Sequence, residues 1–572
     1  MRRMISYLAP YKMRMLRGVS IKILGTVSEL LIPFLLTYIL EHVIVTMEIP
    51  RILWYGGVMI LCSVAACAGN VTANRMAAGV TADFSVQMRR ELFAKILYLS
   101  ASDTDRFTIP SLESRITSDT YNVQNFVGMM QRMGIRAPIL LLGGVSITLF
   151  MDRALSLVMI ATMPLIFLTV YSVARRGVPL YTKVQKSTDD MIRVVREDVL
   201  GVRVIKALSK NDYENRRYDN FNRALTKQEC HAGVIMNAVN PIMTLLMNLG
   251  IAGVIAVAAY RVANGTSSAA TVIAFTQYFT LISMALMSLS RMFIMYTKCA
   301  ASARRISAVL DTPDSFPVTE DDGRADSASE ISFEKVSLFY LGKKPNLEDI
   351  TLNVPRGGTL GIIGATGSGK SIFVKLLLRF YDTSSGTIRI RGRKISSYTQ
   401  KELTAMFGVA LQNDFLYADT IEENIRFGRD IPDEEIRRAA KIAQAHDFIS
   451  AMPEGYGHMI SAKGTNLSGG QRQRILIARA IAANPEILIL DDSSSALDYK
   501  TDASLRQALK ESMSDSTVIT VAQRVSSVKN CDQIIVLDDG KIIGHGRHEK
   551  LMENCTEYRQ ISDSQMGGAF LD

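Results

Sequence analysis

Gly364-Ala365-Thr366-Gly367-Ser368-Gly369-Lys370-Ser371 fits G-x-x-x-x-G-K-[ST] at every position. The residues before it, Gly358-Thr359-Leu360-Gly361-Ile362-Ile363, read as a short buried strand. The residues after it, Ile372-Phe373-Val374-Lys375-Leu376-Leu377-Leu378, read as the start of a helix. Strand, glycine loop and helix together make a phosphate cradle. Glycines let backbone N–H groups turn inward, and a helix N-terminus favours negative charge. Lys370 is expected to reach the β- and γ-phosphates of a nucleotide, and Ser371 to ligate Mg²⁺.

Working outward, the flanks of this loop have the pattern of a soluble α/β domain. From Glu330 onward, short β-rich runs alternate with helices. Tyr340 ends the run Val336-Ser337-Leu338-Phe339-Tyr340 and can stack on an adenine, although a tyrosine at a strand end also serves plain packing. A lone glutamine, Gln412, follows Ala410-Leu411. Leu467-Ser468-Gly469-Gly470-Gln471 opens a long helix through Arg474 and Arg479, a second helix N-terminus suited to phosphate. The apolar run Ile487-Leu488-Ile489-Leu490 ends in Asp491-Asp492, and a carboxylate at such a strand end can hold Mg²⁺ through water. Ser495-Ala496-Leu497-Asp498 comes next, and Val518-Ile519-Thr520-Val521-Ala522-Gln523 reads as a further strand.

Upstream the character changes. At 572 residues the chain is too long for one core. Its first half carries long uncharged runs. Spans are expected near residues 18–46, 52–74, 126–151, 154–174, 232–260 and 262–290, each able to supply the roughly 20 apolar residues that a bilayer demands. Residues 1–17 are basic and amphipathic and suit a helix on the membrane surface, with no cleaved signal peptide expected. Connections after spans one, three and five are short. Those after spans two and four run to about fifty residues, keep helical periodicity and are rich in Arg and Lys. The charge distribution places these long connections, both termini and the soluble domain in the cytoplasm. It also explains the net charge of +10 without a nucleic-acid partner. Each long connection is expected to bend at a turn-rich tip, Ser102 to Ser111 in one and Ser209 to Asp212 in the other, and the tips could dock on the soluble domain.

Polar residues interrupt the spans at Glu29, Glu41, Asn70, Asn240, Asn248 and Gln277. Intramembrane ionisable groups are costly and often functional. Glu29 stands out as a group that could bind a cationic substrate or a proton, with a helix–helix hydrogen bond as the plain alternative. The six cysteines are scattered without a C-x-x-C pair, so neither a zinc site nor a disulfide framework is suggested. Domain boundaries are expected at 1–310 for the transmembrane part, 311–329 for a linker rich in Pro, Asp, Glu and Ser, and 330–572 for the soluble part.

The order of Tyr340, the Gly364–Ser371 loop, Gln412, Leu467–Gln471, Asp491, Ser495–Asp498 and Gln523 resembles an ABC transporter half of the exporter type, over essentially the whole length. The resemblance implies a multi-domain chain, with an α-helical six-span transmembrane domain fused to an α/β P-loop ABC nucleotide-binding domain. It implies ATP and Mg²⁺ as cofactors, and pairing with a second half-transporter in a lipid bilayer around a small-molecule substrate. Tyr340 and Gly364 through Ser371 would bind ATP. Gln412 would join Ser371 and Asp491 at Mg²⁺ and join the residues at 492 and 523 near the reacting phosphate. Ser468, Gly469, Gly470, Gln471 and Asp498 would act in trans on the partner's ATP.

Two positions depart from the pattern. Hydrolysing members carry glutamate after the Asp491 position, and here it is Asp492. The later histidine is replaced by Gln523. The shorter carboxylate falls back by more than about 1 Å, enough to cost a factor of roughly 10². Glutamine can still donate a hydrogen bond, but it cannot carry the charge or shuttle the proton of histidine. Lys370, Ser371 and Asp491 are intact, so the site should bind ATP and turn it over slowly. This is similar to the degenerate subunit of heterodimeric bacterial multidrug exporters in the cytoplasmic membrane. A homodimeric lipid or drug flippase, an exporter-fold importer of metal–siderophore complexes and an ATP-switched membrane sensor are the alternatives.

Overall fold

A computed structural model describes residues 2–313, 317–321, 329–340, 345–412 and 414–566. Of the expected linker, residues 314–316 and 322–328 lie outside the described residues. The chain divides into two units. One comprises Met1–Leu97 and Thr108–Thr312, the other Tyr98–Phe107 and Pro313–Asp572.

The first unit is helical. Its main elements are α1 (Lys12–Tyr38), α2 (Ile49–Leu97), and, beyond the segment assigned to the other unit, α3 (Thr120–Met151), α4 (Arg153–Leu200), α5 (Asn211–Asn237), α6 (Val239–Ala263) and α7 (Ala269–Leu310). Among the described residues, six helical stretches are long and apolar enough to cross a bilayer. Several run far beyond what crossing requires. The 49 residues of α2 and 48 of α4 carry the helical extensions expected from the periodicity of the long connections. The fifth expected span, 232–260, is divided at Ala238 between α5 and α6. Pro241 lies three residues on, and its missing N–H leaves the Asn237 carbonyl without a helical donor.

Small residues bring these helices together. A Cβ on Gly69 would stand 3.1 Å from the Gly25 Cα, so α1 and α2 meet backbone to backbone. Polar contacts then fix the register. Asp119, fully buried, accepts from Arg305 Nε at 2.7 Å and from Ser302 Oγ at 2.8 Å, which ties the start of α3 to α7. Glu41 accepts from the hydroxyls of Ser268 and Thr271, the latter at 2.7 Å, beside the N-terminus of α7. Asn70 donates to the Ala66 carbonyl one turn back in its own helix. Glu29 is not a free anion. Arg136 Nη2 donates to its Oε1 at 2.6 Å and Arg136 Nε to its Oε2 at 3.3 Å, a two-point pair. Of the two readings of Glu29, the contact between helices is the one present here.

The second unit is built on two sheets. A four-stranded antiparallel sheet has the order β2-β1-β4-β5, from β1 (Ser329–Leu338), β2 (Leu347–Pro355), β4 (Ser385–Ile390) and β5 (Arg393–Lys394). A six-stranded sheet has the order β10-β9-β3-β8-β7-β6. Its strands are β3 (Thr359–Ile363), β6 (Phe407–Ala410), β7 (Ile487–Asp491), β8 (Thr517–Val521), β9 (Gln533–Asp538) and β10 (Lys541–Gly546). β3, β6, β7, β8 and β9 are parallel, and only β10 runs against its neighbour. Buried on both faces, the parallel strands read as near-continuous apolar runs, as in Ile487–Leu490. β3 lies between β9 and β8, and the loop at its C-terminal end is the Gly364–Ser371 stretch.

The segment Tyr98–Phe107 packs with this unit. The expected turn-rich tip is instead a short helix, Ala101–Phe107. Ser100 starts it, its Oγ accepting the Asp103 amide at 2.9 Å as a helix cap does. Local capping thus turns residues that favour loops into a helix start. Ala101 packs against the core formed by both sheets. The second expected tip is a turn at Ser209, φ +51°, between a short helix at Val202–Ala207 and the start of α5 at Asn211, and it belongs to the membrane unit.

Candidate nucleotide site

The glycines of the loop have separate tasks. Gly367 and Gly369 take φ of +88° and +104°, which other residues rarely adopt. Gly364 leaves no room for a side chain, since a Cβ there would stand 2.1 Å from the Leu537 carbonyl oxygen. Helix α8 (Lys370–Leu377) begins directly after Gly369, with Phe373, Val374, Leu376 and Leu377 buried in the core. Lys370 Nζ donates to the carbonyls of Gly364 and Ala365, at 2.7 and 2.8 Å, closing the loop on itself.

These residues open onto a cleft of about 370 Å³. Thr366, Gly367, Gly369, Lys370, Ser371, Gln412, Asp491, Asp492 and Gln523 all line it. Residues more than 150 positions apart in sequence therefore converge, because β3, β7 and β8 lie side by side and end at the same level. Asn346, Asp539 and Gly540 also line the cleft and were missed from sequence. Each sits in a connection whose position is set by the sheets.

The electrostatics follow from burial. Desolvation raises the pKa of Asp491, and the charge of Asp492 adds to this, against the pull of Lys370 and a hydrogen bond from Ser371. Burial also raises Asp492, opposed by Lys370 and by the amides of Gln412 and Gln523. Lys370 is lowered by burial, with Asp492 and Asp491 opposing. Asp492 Oδ2 accepts from Gln412 Nε2 at 3.2 Å and from Gln523 Nε2 at 3.1 Å. Its backbone is left-handed, φ +50°, with its N–H held by the Val521 carbonyl at 2.9 Å. Aspartate tolerates that conformation better than most residues.

The residues present fit a magnesium nucleotide. Ser368 Oγ is buried beneath the loop without a partner among the described residues, the Gly364 position excludes a side chain, and Ser371 hydrogen-bonds Asp491. Ser371 and Asp491 would hold Mg²⁺, with Gln412 on the same wall, and Lys370 would exchange its two carbonyls for phosphate oxygens. Held there, the ion would supply charge neutralisation for the phosphates.

Tyr340 does not line this cleft. Its hydroxyl donates to Asp105 Oδ2, which also accepts from Tyr381 at 2.8 Å, and the two rings meet edge to face at 4.8 Å. Hydrogen bonds from Tyr340 and Tyr381 hold the Asp105 carboxyl below its usual range, the Tyr340 bond being the larger cause. Tyr381 was not singled out in the sequence, and Asp105 only as one residue of the first expected tip. Nothing local marks Asp105, whose partners lie more than 200 positions away.

Nor do Ser468, Gly469, Gly470, Gln471 and Asp498 line the cleft. Ser468 caps helix α9 (Gly469–Ile481) in a reciprocal box. Its Oγ accepts the Gln471 amide at 3.3 Å and its own N–H donates to Gln471 Oε1 at 2.9 Å. Gly470 permits a close approach, since a Cβ there would stand 3.1 Å from the Ala496 carbonyl oxygen. Gln473 bridges the same two segments, donating to Ser495 Oγ at 3.0 Å and accepting the Ala496 amide at 2.9 Å. Asp498 caps helix α10 (Tyr499–Ser512), accepting the Thr501 amide at 2.9 Å.

A phosphate loop beside a two-carboxylate strand end, a separate capped Ser-Gly-Gly-Gln helix and six candidate spans define a membrane protein with a nucleotide-driven domain. The description "ABC transporter transmembrane region" matches residues 15–286, and "ABC transporter" matches residues 347–495. The chain belongs to the ABC transporter family. It is 33% identical over 577 residues to the ABC transporter ATP-binding protein YfiB of Bacillus subtilis, covering 99% of each chain. It is 30% identical over 576 residues to Rv1273c of Mycobacterium tuberculosis, covering 98% of this chain and 97% of that protein. Among solved structures, a bacterial Atm1-family ABC exporter with ATP bound superposes with a TM-score of 0.83 at 23% identity, covering 97% of this chain and 99% of that one. The fold is thus of the exporter type, and the ATPase domain uses ATP with Mg²⁺.

Proposed function

We propose that this chain is the slow-site half of a heterodimeric ABC exporter in a bacterial cytoplasmic membrane, moving hydrophobic or amphipathic small molecules. The observation that carries this reading is the clasp on Asp492. Its carboxylate, one methylene shorter than the glutamate of hydrolysing family members, is held by both Gln412 and Gln523 through one oxygen. A carboxylate so short and so engaged is poorly placed to orient an attacking water. The phosphate loop, Ser371 and Asp491 are complete, so ATP is held at this site longer than it is hydrolysed.

The intact capped helix at Ser468–Gln471 lies apart from the chain's own cleft, which suits service to a partner's ATP. The second tip also favours a partner. Leu200 and Leu208 flank its short helix and are 80% and 63% exposed, apolar surface that the membrane unit leaves uncovered. In this reading ATP draws the two ATPase domains together and reorients the membrane cavity, and hydrolysis at the partner's site resets it. The ATP-bound state of the Atm1-family neighbour is consistent with such a nucleotide-closed form.

Composition of the native complex tests the proposal. The tagged chain, extracted from its own membrane, should return a one-to-one complex with a second half-transporter that carries glutamate and histidine at the equivalent positions. A pure homodimer with brisk ATPase would refute the division of labour.

A further inference from the structure

Strand β8 ends at Val521 and hands over to a segment that leaves the sheet. Ala522 still donates its N–H to the Ile362 carbonyl at 3.0 Å, and there the pairing with β3 stops. The backbone groups that follow need other partners. A short helix starts at Val525, and Arg524 before it has no side-chain acceptor with which to cap it. One side chain meets both needs. Gln565 Nε2 donates to the Gln523 carbonyl and Gln565 Oε1 accepts the Val525 N–H, each at 2.8 Å.

The helix that brings Gln565 there is α11 (Thr556–Met566). Tyr558, Ile561 and Gln565 follow at i, i+3 and i+7, which is one face of a helix. Tyr558 is fully buried in a cluster with Ala522, Val525 and Val528 and with Ile363, the last residue before the phosphate loop. Ile561 packs on the same cluster. The inner face of α11 is therefore docked on the residues that flank Gln523 and Arg524, and Gln565 completes the dock with a two-point hydrogen bond. Arg524 ties the segment to the far side of the site. Its guanidinium lies 5.2 Å from the centre of the Tyr499 ring and donates to the Ser495 carbonyl at 3.4 Å. With the backbone held in this way, the Gln523 side chain lines the cleft and its Nε2 reaches Asp492 Oδ2 at 3.1 Å.

We propose that Gln565 is a positioning residue for the nucleotide site. By fixing the backbone on both sides of Arg524 it aims the Gln523 amide at Asp492, so that α11 sets how fast this site turns over. Without Gln565 the segment regains backbone freedom, which the Gln523–Asp492 bond must then oppose. The direction of the effect on turnover rests on the slow-site reading, in which the clasp on Asp492 is the brake.

The test uses the full complex, with the partner's hydrolysis blocked at its own phosphate-loop lysine. It reads phosphate release, the KM for ATP and hydrogen exchange at the Val525 amide. Gln565→Leu keeps side-chain length and helix propensity, and at an exposed position it empties no core. It should speed exchange at Val525 and raise turnover by up to about fivefold, the worth of one lost hydrogen bond, with the KM for ATP unchanged. Gln523→Ala should raise turnover at least as much. Adding Gln565→Leu to Gln523→Ala should change turnover no further, because the side chain being positioned is gone. A fall in turnover from each single variant, absent when the two are combined, would uphold the positioning role and refute the clasp as the brake. An equal effect of Gln565→Leu in both backgrounds would overturn the inference, since Gln565 would then act without Gln523. An effect of Gln523→Ala with none from Gln565→Leu would overturn it and leave the slow-site reading standing. No effect from either variant would overturn both. Unchanged exchange at Val525 would overturn the two-point hydrogen bond itself and the inference with it.

Discussion

Restoring the two departed residues, Asp492→Glu together with Gln523→His, should raise hydrolysis at this chain's site and slightly destabilise its fold. The kinetic gain follows from reach. One added methylene advances the carboxylate by more than about 1 Å, and a displacement of that size is worth about 10² in rate, or about 2.7 kcal/mol of barrier. Replacing Gln523 also removes one of the two amides that hold Asp492 Oδ2, freeing the carboxylate toward the cleft. The structural cost comes from the backbone. Residue 492 sits at φ +50°, where aspartate is tolerated and glutamate is strained by about 1 kcal/mol. For a domain of this size that lowers Tm by about 2–4 °C. The assay is phosphate release from the intact complex, with the partner's hydrolysis blocked at its own phosphate-loop lysine, and with ATP binding and Tm measured in parallel. A rise of about two orders of magnitude with a small drop in Tm is expected. Unchanged hydrolysis with ATP binding intact would refute the reasoning, because neither carboxylate reach nor its clasp would then limit the site.

Three further outcomes follow from the same geometry. Because burial raises the native pKa of Asp491 above its unfolded value, its ionisation costs nothing below about pH 4 and destabilises the nucleotide-free domain progressively as pH rises through the elevated native pKa. Asp491→Asn should therefore raise the apo Tm more at pH 8 than at pH 5 while abolishing the added stability from Mg-ATP, both readable by thermal denaturation. Gly364→Ala, with its Cβ driven to 2.1 Å from the Leu537 carbonyl, should abolish ATP binding measured with a fluorescent nucleotide. Asp105→Ala removes an acceptor shared by two phenols and costs about 1 kcal/mol after solvent screening. Burial and Asp105 together hold Tyr340 and Tyr381 above the usual phenol range, so a difference spectrum against wild type should show phenolate forming at lower pH.

The phosphate loop was legible because each of its positions answers a local steric or electrostatic demand, and its neighbours Asp491, Asp492, Gln412 and Gln523 all reached the same cleft. The helix start at Ser468–Gln471 was also readable from its own residues, whereas its place away from the chain's own cleft was implied only by the family resemblance. What escaped was carried by distance or by averaging. Arg136 sits inside a segment whose mean character is apolar, so the helix–helix partner of Glu29 went unnamed although such a bond was one of its two readings. Asp105 finds its tyrosines only once β1 and the short helix at Ala101–Phe107 are in place. Gln473 resembled an ordinary surface residue of a helix until the Ser495–Ala496 segment folded against it. The first tip read as a turn because Ser and Asp favour loops, yet Ser100 just before it caps a short helix, whereas in the second the turn at Ser209 is present as expected.

The length of α2 sets a mechanical scale. At 1.5 Å per residue its 49 residues make a rod of about 74 Å, more than twice the hydrocarbon thickness of about 30 Å. A pivot of about 5° at one end sweeps the other through about 6 Å, a displacement larger than a bound phosphate. Past its first turn α2 has no proline, whereas α4 carries Pro164 and Pro179 in its interior. Proline removes a rung from the hydrogen-bond ladder and gives a helix a place to bend. The first long arm is thus stiff and transmits an angle as a stroke, and the second can yield along its length and take up slack.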